Sequence, residues 1–185
     1  MKIDNFLIIK FDKVTSTMDV IKNYLDKKGK VIVWAEEQTT GRGRYGREWL
    51  SPKGGLYFSF FVRKNNITDF ISEIVALSLI KTLINFGIND CKIKFPNDII
   101  IRGKKISGIL IEKSGNFYII GIGINVKMNE IFKKFNYITM EELTKKNIKI
   151  EEVLVNFFKN FGEMVKLFEE DIEYGLKIWS ENLIK

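Results

Sequence analysis

The sequence predicts an α+β fold in which a mixed, largely antiparallel β-sheet is covered on one face by helices. Three observations carry this expectation. Between Ile93 and Val126, short apolar runs alternate with glycine-centred turns, the pattern of a meander. Apolar residues recur at helical period from Asp69 to Phe86 and again through the last third of the chain. No linker, repeat or break in composition divides the 185 residues, a length suited to one domain with a substantial core.

The elements follow in order. A first helix starts at Ser16, where Ser16 and Asp19 have capping-box spacing, and Met18, Ile21 and Leu25 form its apolar stripe, with Gly29 as C-cap. Val31 to Ala35 reads as a buried strand, and so does Leu56 to Val62 after the Gly54-Gly55 turn. The long helix from Asp69 to Phe86 closes at Gly87. In the meander, Ile93 leads into Phe95-Pro96 and Ile99 to Ile101 continues as a strand. Gly103 turns the chain into Ile106–Ile111, and Ser114-Gly115-Asn116 turns it into Phe117–Val126. Thr139 and Glu142 repeat the capping-box spacing. Val153, Leu154, Phe157, Phe158, Phe161 and Val165 keep helical period, and Glu173 to Ile184 closes the chain as a helix.

Composition removes several kinds of chemistry. The chain has no histidine, so Ser-His-Asp and Cys-His catalysis, an imidazole base and most zinc sites are excluded. Its one cysteine, Cys91, rules out an intramolecular disulfide and reads as a packing residue beside apolar Ile93. The N-terminal residues lack the apolar core of a signal peptide, and Ile71 to Ile84 is interrupted by Glu73, Ser78, Lys81 and Thr82. A cytoplasmic protein with no membrane span is expected. The net charge of +7 points to an anionic partner: a nucleotide, a nucleic acid or an acidic protein.

Four segments could carry chemistry. Gly41-Arg42-Gly43-Arg44-Tyr45-Gly46-Arg47, closed by Trp49, alternates permissive backbone with fork-shaped donors. Such a loop suits phosphate or carboxylate oxygens, although an exposed basic loop that binds nothing in particular has the same composition. Lys94-Phe95-Pro96-Asn97-Asp98 either presents Asn97 and Asp98 at a sheet edge or is ordinary turn chemistry. Lys105 stands at the start of a strand, and Gly108 within that strand implies close approach of a backbone or ligand; a lysine-rich hairpin tip before a core strand is the plain alternative. Gly121 and Gly123 clear one strand face, which Asn125 closes. The segment lacks the third glycine and the helix of a dinucleotide fingerprint.

Together, in this order and spacing, the four segments resemble the biotin–protein ligase family over nearly the whole chain. Ser16-Thr17 is similar to that family's Ser-Thr-Asn segment, and Gln38 with Gly41-Arg42-Gly43-Arg44 through Trp49 to its biotinoyl-adenylate loop. Lys94-Phe95-Pro96-Asn97-Asp98 is similar to its Lys-Trp-Pro-Asn-Asp motif, with Lys105–Leu110 and Gly121–Val126 completing the pattern. The resemblance implies a class II synthetase-like biotin/lipoate ligase catalytic domain over residues 1–185. Neither an N-terminal helix-turn-helix, and with it DNA binding, nor a C-terminal β-barrel-like domain is expected.

The same resemblance implies substrates, partner and roles. Biotin and ATP, with Mg²⁺, give biotinoyl-5′-AMP, and a lysine of a biotin carboxyl carrier protein domain then displaces AMP. Ser16, Thr17, Gln38, Gly41, Arg42, Lys105 and Gly108 are implied for biotin. Arg42, Arg44, Arg47, Trp49, Asn97 and Asn125 are implied for the nucleotide. Lys105, Arg42, Arg44 and Asp98 are implied for catalysis, and Asn97 or Asp98 for Mg²⁺ or the incoming amine. Phe95 departs from the family tryptophan: it keeps the apolar plane and loses the indole donor. A homodimer stays open, as do a lipoate or octanoate ligase or transferase of the same fold and a non-catalytic basic module that binds nucleic acid.

Overall fold

A computed structural model describes residues 2–3, 6–25, 30–127, 129–130, 132 and 135–184. Among the described residues, eight strands form one sheet in the order β1-β2-β3-β4-β8-β7-β6-β5. They are β1 (Lys2–Ile3), β2 (Phe6–Val14), β3 (Lys30–Gln38), β4 (Leu56–Arg63), β5 (Lys92–Lys94), β6 (Asp98–Ile101), β7 (Lys104–Ser114) and β8 (Phe117–Ile124). Only β2 and β3 pair in parallel; every other neighbour is antiparallel, so the sheet is mixed and mostly antiparallel as the sequence predicts.

Strand β2 is an element that the apolar pattern does not announce. Its run mixes Leu7, Ile8 and Ile9 with Lys10, Asp12 and Lys13, and Leu7 stays 47% exposed. Its register with β3, from Phe6 opposite Lys30 to Val14 opposite Gln38, supplies backbone pairing that side-chain periodicity does not reveal.

The helices are α1 (Thr17–Val20), α2 (Ile71–Asn85), α3 (Met140–Thr144), α4 (Ile150–Glu170) and α5 (Ile172–Glu181). Helices α2 and α4 bury Ile74, Leu79, Leu83, Phe157 and Phe161 against Phe58 and Phe60 of β4 and Ile120, Ile122 and Ile124 of β8. At about 25 cal/mol per Å² of apolar surface removed from water, this cluster is the main source of stability. A second, smaller cluster joins Met18 and Ile21 to Val31, Val33, Phe61 and Ile119. Helix α1 therefore lies on the opposite sheet face, a correction to the expectation that the helices share one face. Among the described residues this cover reaches from β3 across to Phe61 of β4, Ile119 of β8 and Leu110 of β7, and the cleft described below lies beside it.

Local signals mostly hold. Thr139 and Glu142 form the full capping box of α3. Gly87, at φ 81°, ends α2 in the left-handed conformation that suits a residue without a Cβ. The Ser16–Asp19 box is corrected: the Ser16 hydroxyl accepts from the Met18 amide, one residue early, and the Asp19 carboxylate turns to Arg42. The helix is accordingly one turn, continued by a 3-10 turn over Ile21–Tyr24, and Gly29 lies outside the described residues. Cys91 is buried, and burial pushes its thiol up to about 12, so it packs as a neutral group at physiological pH. Among the described residues no helix is long and apolar enough to cross a membrane.

Candidate active site

The open face of the sheet carries a cleft of about 640 Å³, within the range of small-molecule sites. Its floor is glycine. Gly121 and Gly123 alternate with Ile120, Ile122 and Ile124, whose side chains fill the helical face, so the period of two that builds the core also clears the cleft. A Cβ on Gly121 would sit 2.6 Å from Met18 Sδ, and one on Gly108 would sit 2.9 Å from Trp49 Cζ3. On Gly123 it would strike the indole of Trp49 outright. Trp49, 7% exposed, thus rests on the floor, tilted against Tyr137 with ring centroids 5.8 Å apart.

Neutral donors and acceptors line the β3 side. The Gln38 carbonyl accepts from Thr17 N at 2.8 Å and from Thr17 Oγ1 at 3.1 Å, and Gln38 Nε2 donates to Ser51 Oγ at 2.8 Å. Thr17 Oγ1 also meets Ser59 Oγ at 2.8 Å, and Ser51 Oγ donates to Trp49 O at 3.0 Å. Ser16 and Thr17 are 1% and 3% exposed, so these groups are fixed before any ligand arrives. One N–H of Gln38 stays free of a protein acceptor in this network.

Charges line the other side. Lys105 Nζ pairs with Asp98 at 2.6 Å and stands 4.7 Å from the Trp49 ring centroid, a cation–π position. Asp98 opens β6 and Lys105 sits one residue into β7, so antiparallel pairing of these strands brings the two motifs together. Tyr137, in a backbone bridge with Lys105, completes this wall; burial, then the carboxylates of Asp98 and Glu48, raise its phenol above the usual tyrosine range.

The arginine loop folds over the cleft as a narrow excursion. Trp49 N donates to Gly41 O at 2.9 Å, Gly43 N to Arg47 O at 2.7 Å, and Arg42 bridges Glu48. Arg42 donates to both oxygens of Asp19, at 2.5 and 2.7 Å. These hydrogen bonds raise the guanidinium's pKa and hold the Asp19 carboxyl below its ordinary value. Arg44 and Arg47 line the cleft without a carboxylate partner among the described residues, and Arg44 reaches only the Tyr45 hydroxyl at 3.1 Å.

Most residues singled out from the sequence therefore line one cavity: Ser16, Thr17, Gln38, Arg42, Arg44, Arg47 and Trp49 from the first half, and Asn97, Asp98, Lys105 and Gly108 from the second. Gly41 and Asn125 do not. Gly41 is packed beneath the loop base, where a Cβ would lie 2.6 Å from Ser51 Oγ. Asn125 is fully buried, and its amide donates to Lys105 O at 3.2 Å, so it braces the strand that carries the lysine. Asn97 faces the cleft, but its Nδ2 donates to Ile109 O at 3.1 Å. Tyr137, Met18, Asp19, Ser51 and Ser59 are contributors that sequence reading gave no site role: Met18 and Asp19 read as stripe and cap of the first helix, and the other three stand outside any motif.

Among the described residues no group of three or more His, Cys, Asp or Glu side chains could hold a metal. A single carboxylate such as Asp98 does suit Mg²⁺ that arrives on nucleotide phosphates, because that ion commonly takes one or two carboxylates beside phosphate oxygens. The cleft holds no activated nucleophile. It can hold a neutral polar group on one side and anions on the other, and it can position two reactants.

Comparison with known proteins gives a family and a fold. Residues 9–129 match the model of the Biotin/lipoate A/B protein ligase family. Biotin–protein ligase 2 of Arabidopsis thaliana is 33% identical over 183 residues, covering 91% of this chain and 54% of its own length. The chain spans about half the length of the curated relatives it matches. The Aquifex aeolicus biotin protein ligase, solved in complex with biotin and ATP, superposes with a TM-score of 0.77 at 36% identity, covering 89% of this chain and 72% of that one. The Leishmania major biotin protein ligase in complex with biotin gives 0.82 at 25% identity, covering 98% and 82%.

Proposed function

Because this chain belongs to the Biotin/lipoate A/B protein ligase family, we propose that it activates biotin with ATP and transfers it to a lysine of a biotin carboxyl carrier protein domain. The observation that carries this reading is the division of the cleft. The Thr17–Gln38–Ser51 network and the Lys105–Asp98 pair stand on opposite sides of the glycine floor, across β3, β4, β8 and β7. At ~4.8 Å between strands, that is roughly 14 Å, room for an extended molecule with a neutral head and a carboxylate tail. Hydroxyl and amide groups satisfy an uncharged ureido ring without burying a charge.

The chemistry needs no protein nucleophile. A carboxylate oxygen of biotin attacks the α-phosphorus of ATP, the bond to pyrophosphate breaks, and biotinoyl-5′-AMP forms. Two anions must approach, so the groups that matter are the cations around them: Lys105 beside the reacting atoms, with Arg44 and Arg47 of the loop above. Mg²⁺ on the phosphates, next to Asp98, would offset further charge. In the second step a carrier lysine attacks the acyl carbon and AMP leaves. Positioning alone can supply about 7–11 kcal/mol for such steps, and a loop lying over the mixed anhydride keeps water from it.

The test is to incubate the protein with biotin, MgATP and a purified biotin-carrier domain and to weigh the carrier. A mass gain equal to one biotinoyl group, dependent on ATP, is expected. The family description also covers lipoate ligases, so lipoate is run in parallel. Modification by lipoate alone would transfer the chain to that branch, and no modification with either acid would remove the ligase reading.

A further inference from the structure

Arg42 is the first arginine of the loop, yet its charge is already met in the ligand-free protein. Its two terminal nitrogens grip both oxygens of Asp19 on α1. Lys22 approaches Asp19 at 3.7 Å and Glu112 of β7 at 3.2 Å, and Glu112 comes within 3.9 Å of Arg42. Two cations and two carboxylates thus close a neutral cluster at the cleft rim. The backbone beneath it is equally fixed, because Gly41 pairs with Trp49, Arg42 with Glu48 and Gly43 with Arg47. Beyond that base the tip differs. Tyr45 is 83% exposed, Tyr45 and Gly46 have positive φ, and Arg44 and Arg47 find no carboxylate among the described residues.

We propose that Asp19 is a positioning residue: through Arg42 it pins the base of the arginine loop to helix α1, leaving Arg44 and Arg47 as the loop's ligand-facing charge. A bidentate guanidinium–carboxylate pair fixes direction as well as distance, which a single lysine contact would not. Pinning the base lowers the entropy lost when the tip closes over an anion, so it acts on ligand affinity more than on the chemical step. The role for the tip rests on the ligase reading; the pinning itself does not.

The experiment compares wild type, Asp19→Asn and Asp19→Glu. Amide hydrogen exchange without ligand is read at Gly43 and Trp49, whose N–H groups close the loop base. Biotin-dependent pyrophosphate exchange is read alongside. Asp19→Asn should lose protection at both amides and raise KM for MgATP about fivefold with kcat little changed, the scale of one partly exposed bidentate pair. Asp19→Glu, which keeps the carboxylate, should recover most of both. Wild-type protection together with wild-type KM in Asp19→Asn would overturn the proposal. Absence of biotin-dependent exchange in the wild type would instead sink the ligase reading, and the protection data would still decide whether Asp19 pins the loop.

Discussion

Substituting Gly123 with alanine tests the claim that Trp49 rests on the glycine floor of the cleft. The added Cβ would lie 2.7 Å from Trp49 Cζ2, with the pyrrole edge of the indole nearer still. Ordinary contact begins at 3.4 Å, so the ring must retreat by at least 0.7 Å. It has little freedom to do so: Tyr137 flanks it, Lys105 Nζ stands over it, and its own carbonyl accepts from Ser51. Overpacking of this kind costs about 1–3 kcal/mol. For a chain of this size each kcal/mol lowers the melting temperature by about 2–4 °C, so a fall of roughly 2–12 °C is expected. Gly121→Ala should cost less, because the obstructing atom is the sulfur of flexible Met18. Gly43→Ala, whose Cβ would meet nothing nearer than 3.5 Å and whose φ is −102°, is the control and should melt as wild type. Thermal unfolding of the three variants, followed by circular dichroism, gives the ranking. If Gly123→Ala melted with the control, Trp49 would not rest on the floor, and the account of the site would fail there.

Lys105→Ala should lower biotin-dependent pyrophosphate exchange about 100- to 1000-fold, the scale of losing one preorganised charge at a reacting centre; near wild-type exchange would take Lys105 out of the mechanism. Thr139→Ala removes the side-chain half of the α3 capping box and should cost about 0.5–2 kcal/mol in urea unfolding, with the midpoint shifted and the slope unchanged. The Asp19 carboxyl is held below its ordinary value, first by the hydrogen bonds from Arg42. Its pairing therefore contributes fully above the unfolded value of about 3.9 and is lost as pH falls through the lower folded value. Carboxyl chemical shifts should show an Asp19 midpoint below about 3.9 that moves up in Arg42→Ala; a midpoint at or above 3.9 in the wild type would mean that the pair does not form in solution.

Much of this was legible in the sequence, for identifiable reasons. The meander from Ile93 to Val126 and the stripes of α2 and α4 repeat at the periods of their elements, so side chains alone place them. The motifs could be read because arginine, lysine and Pro-Asn-Asp are uncommon choices for a core, and because glycine at period two leaves one strand face bare. What escaped depends on partners far along the chain. Strand β2 is held by pairing with β3 and leaves Leu7 exposed, so it shows no clean alternation. Asp19 looks like the fourth residue of a capping box until Arg42, 23 residues later, is folded beside it. Asn125 ends a motif that looks ligand-facing, but the strand's turn sends its amide inward to Lys105 O. Tyr137 belongs to no motif and enters the cleft only through its bridge to Lys105.

The two shortest ion pairs of the site join a motif cation to a carboxylate from a different element: Lys105 to Asp98, and Arg42 to Asp19. A cation in a half-buried cleft loses hydration, and an empty site would bear that cost with nothing in return. A carboxylate within reach offsets it and keeps the cation from swinging into solvent. On the proposed function, the same carboxylate then competes with the substrate. An anion entering beside Lys105 must share that ammonium with Asp98, so some affinity is given up for a charge already in place. Under the same reading, Arg44 and Arg47, with no carboxylate competitor among the described residues, would give more of their interaction to the ligand. The proposed catalysis by charge placement would gain from both arrangements. Cations fixed before binding need no reorganisation as charge develops, and cations that become paired only on binding make closure depend on the correct anion.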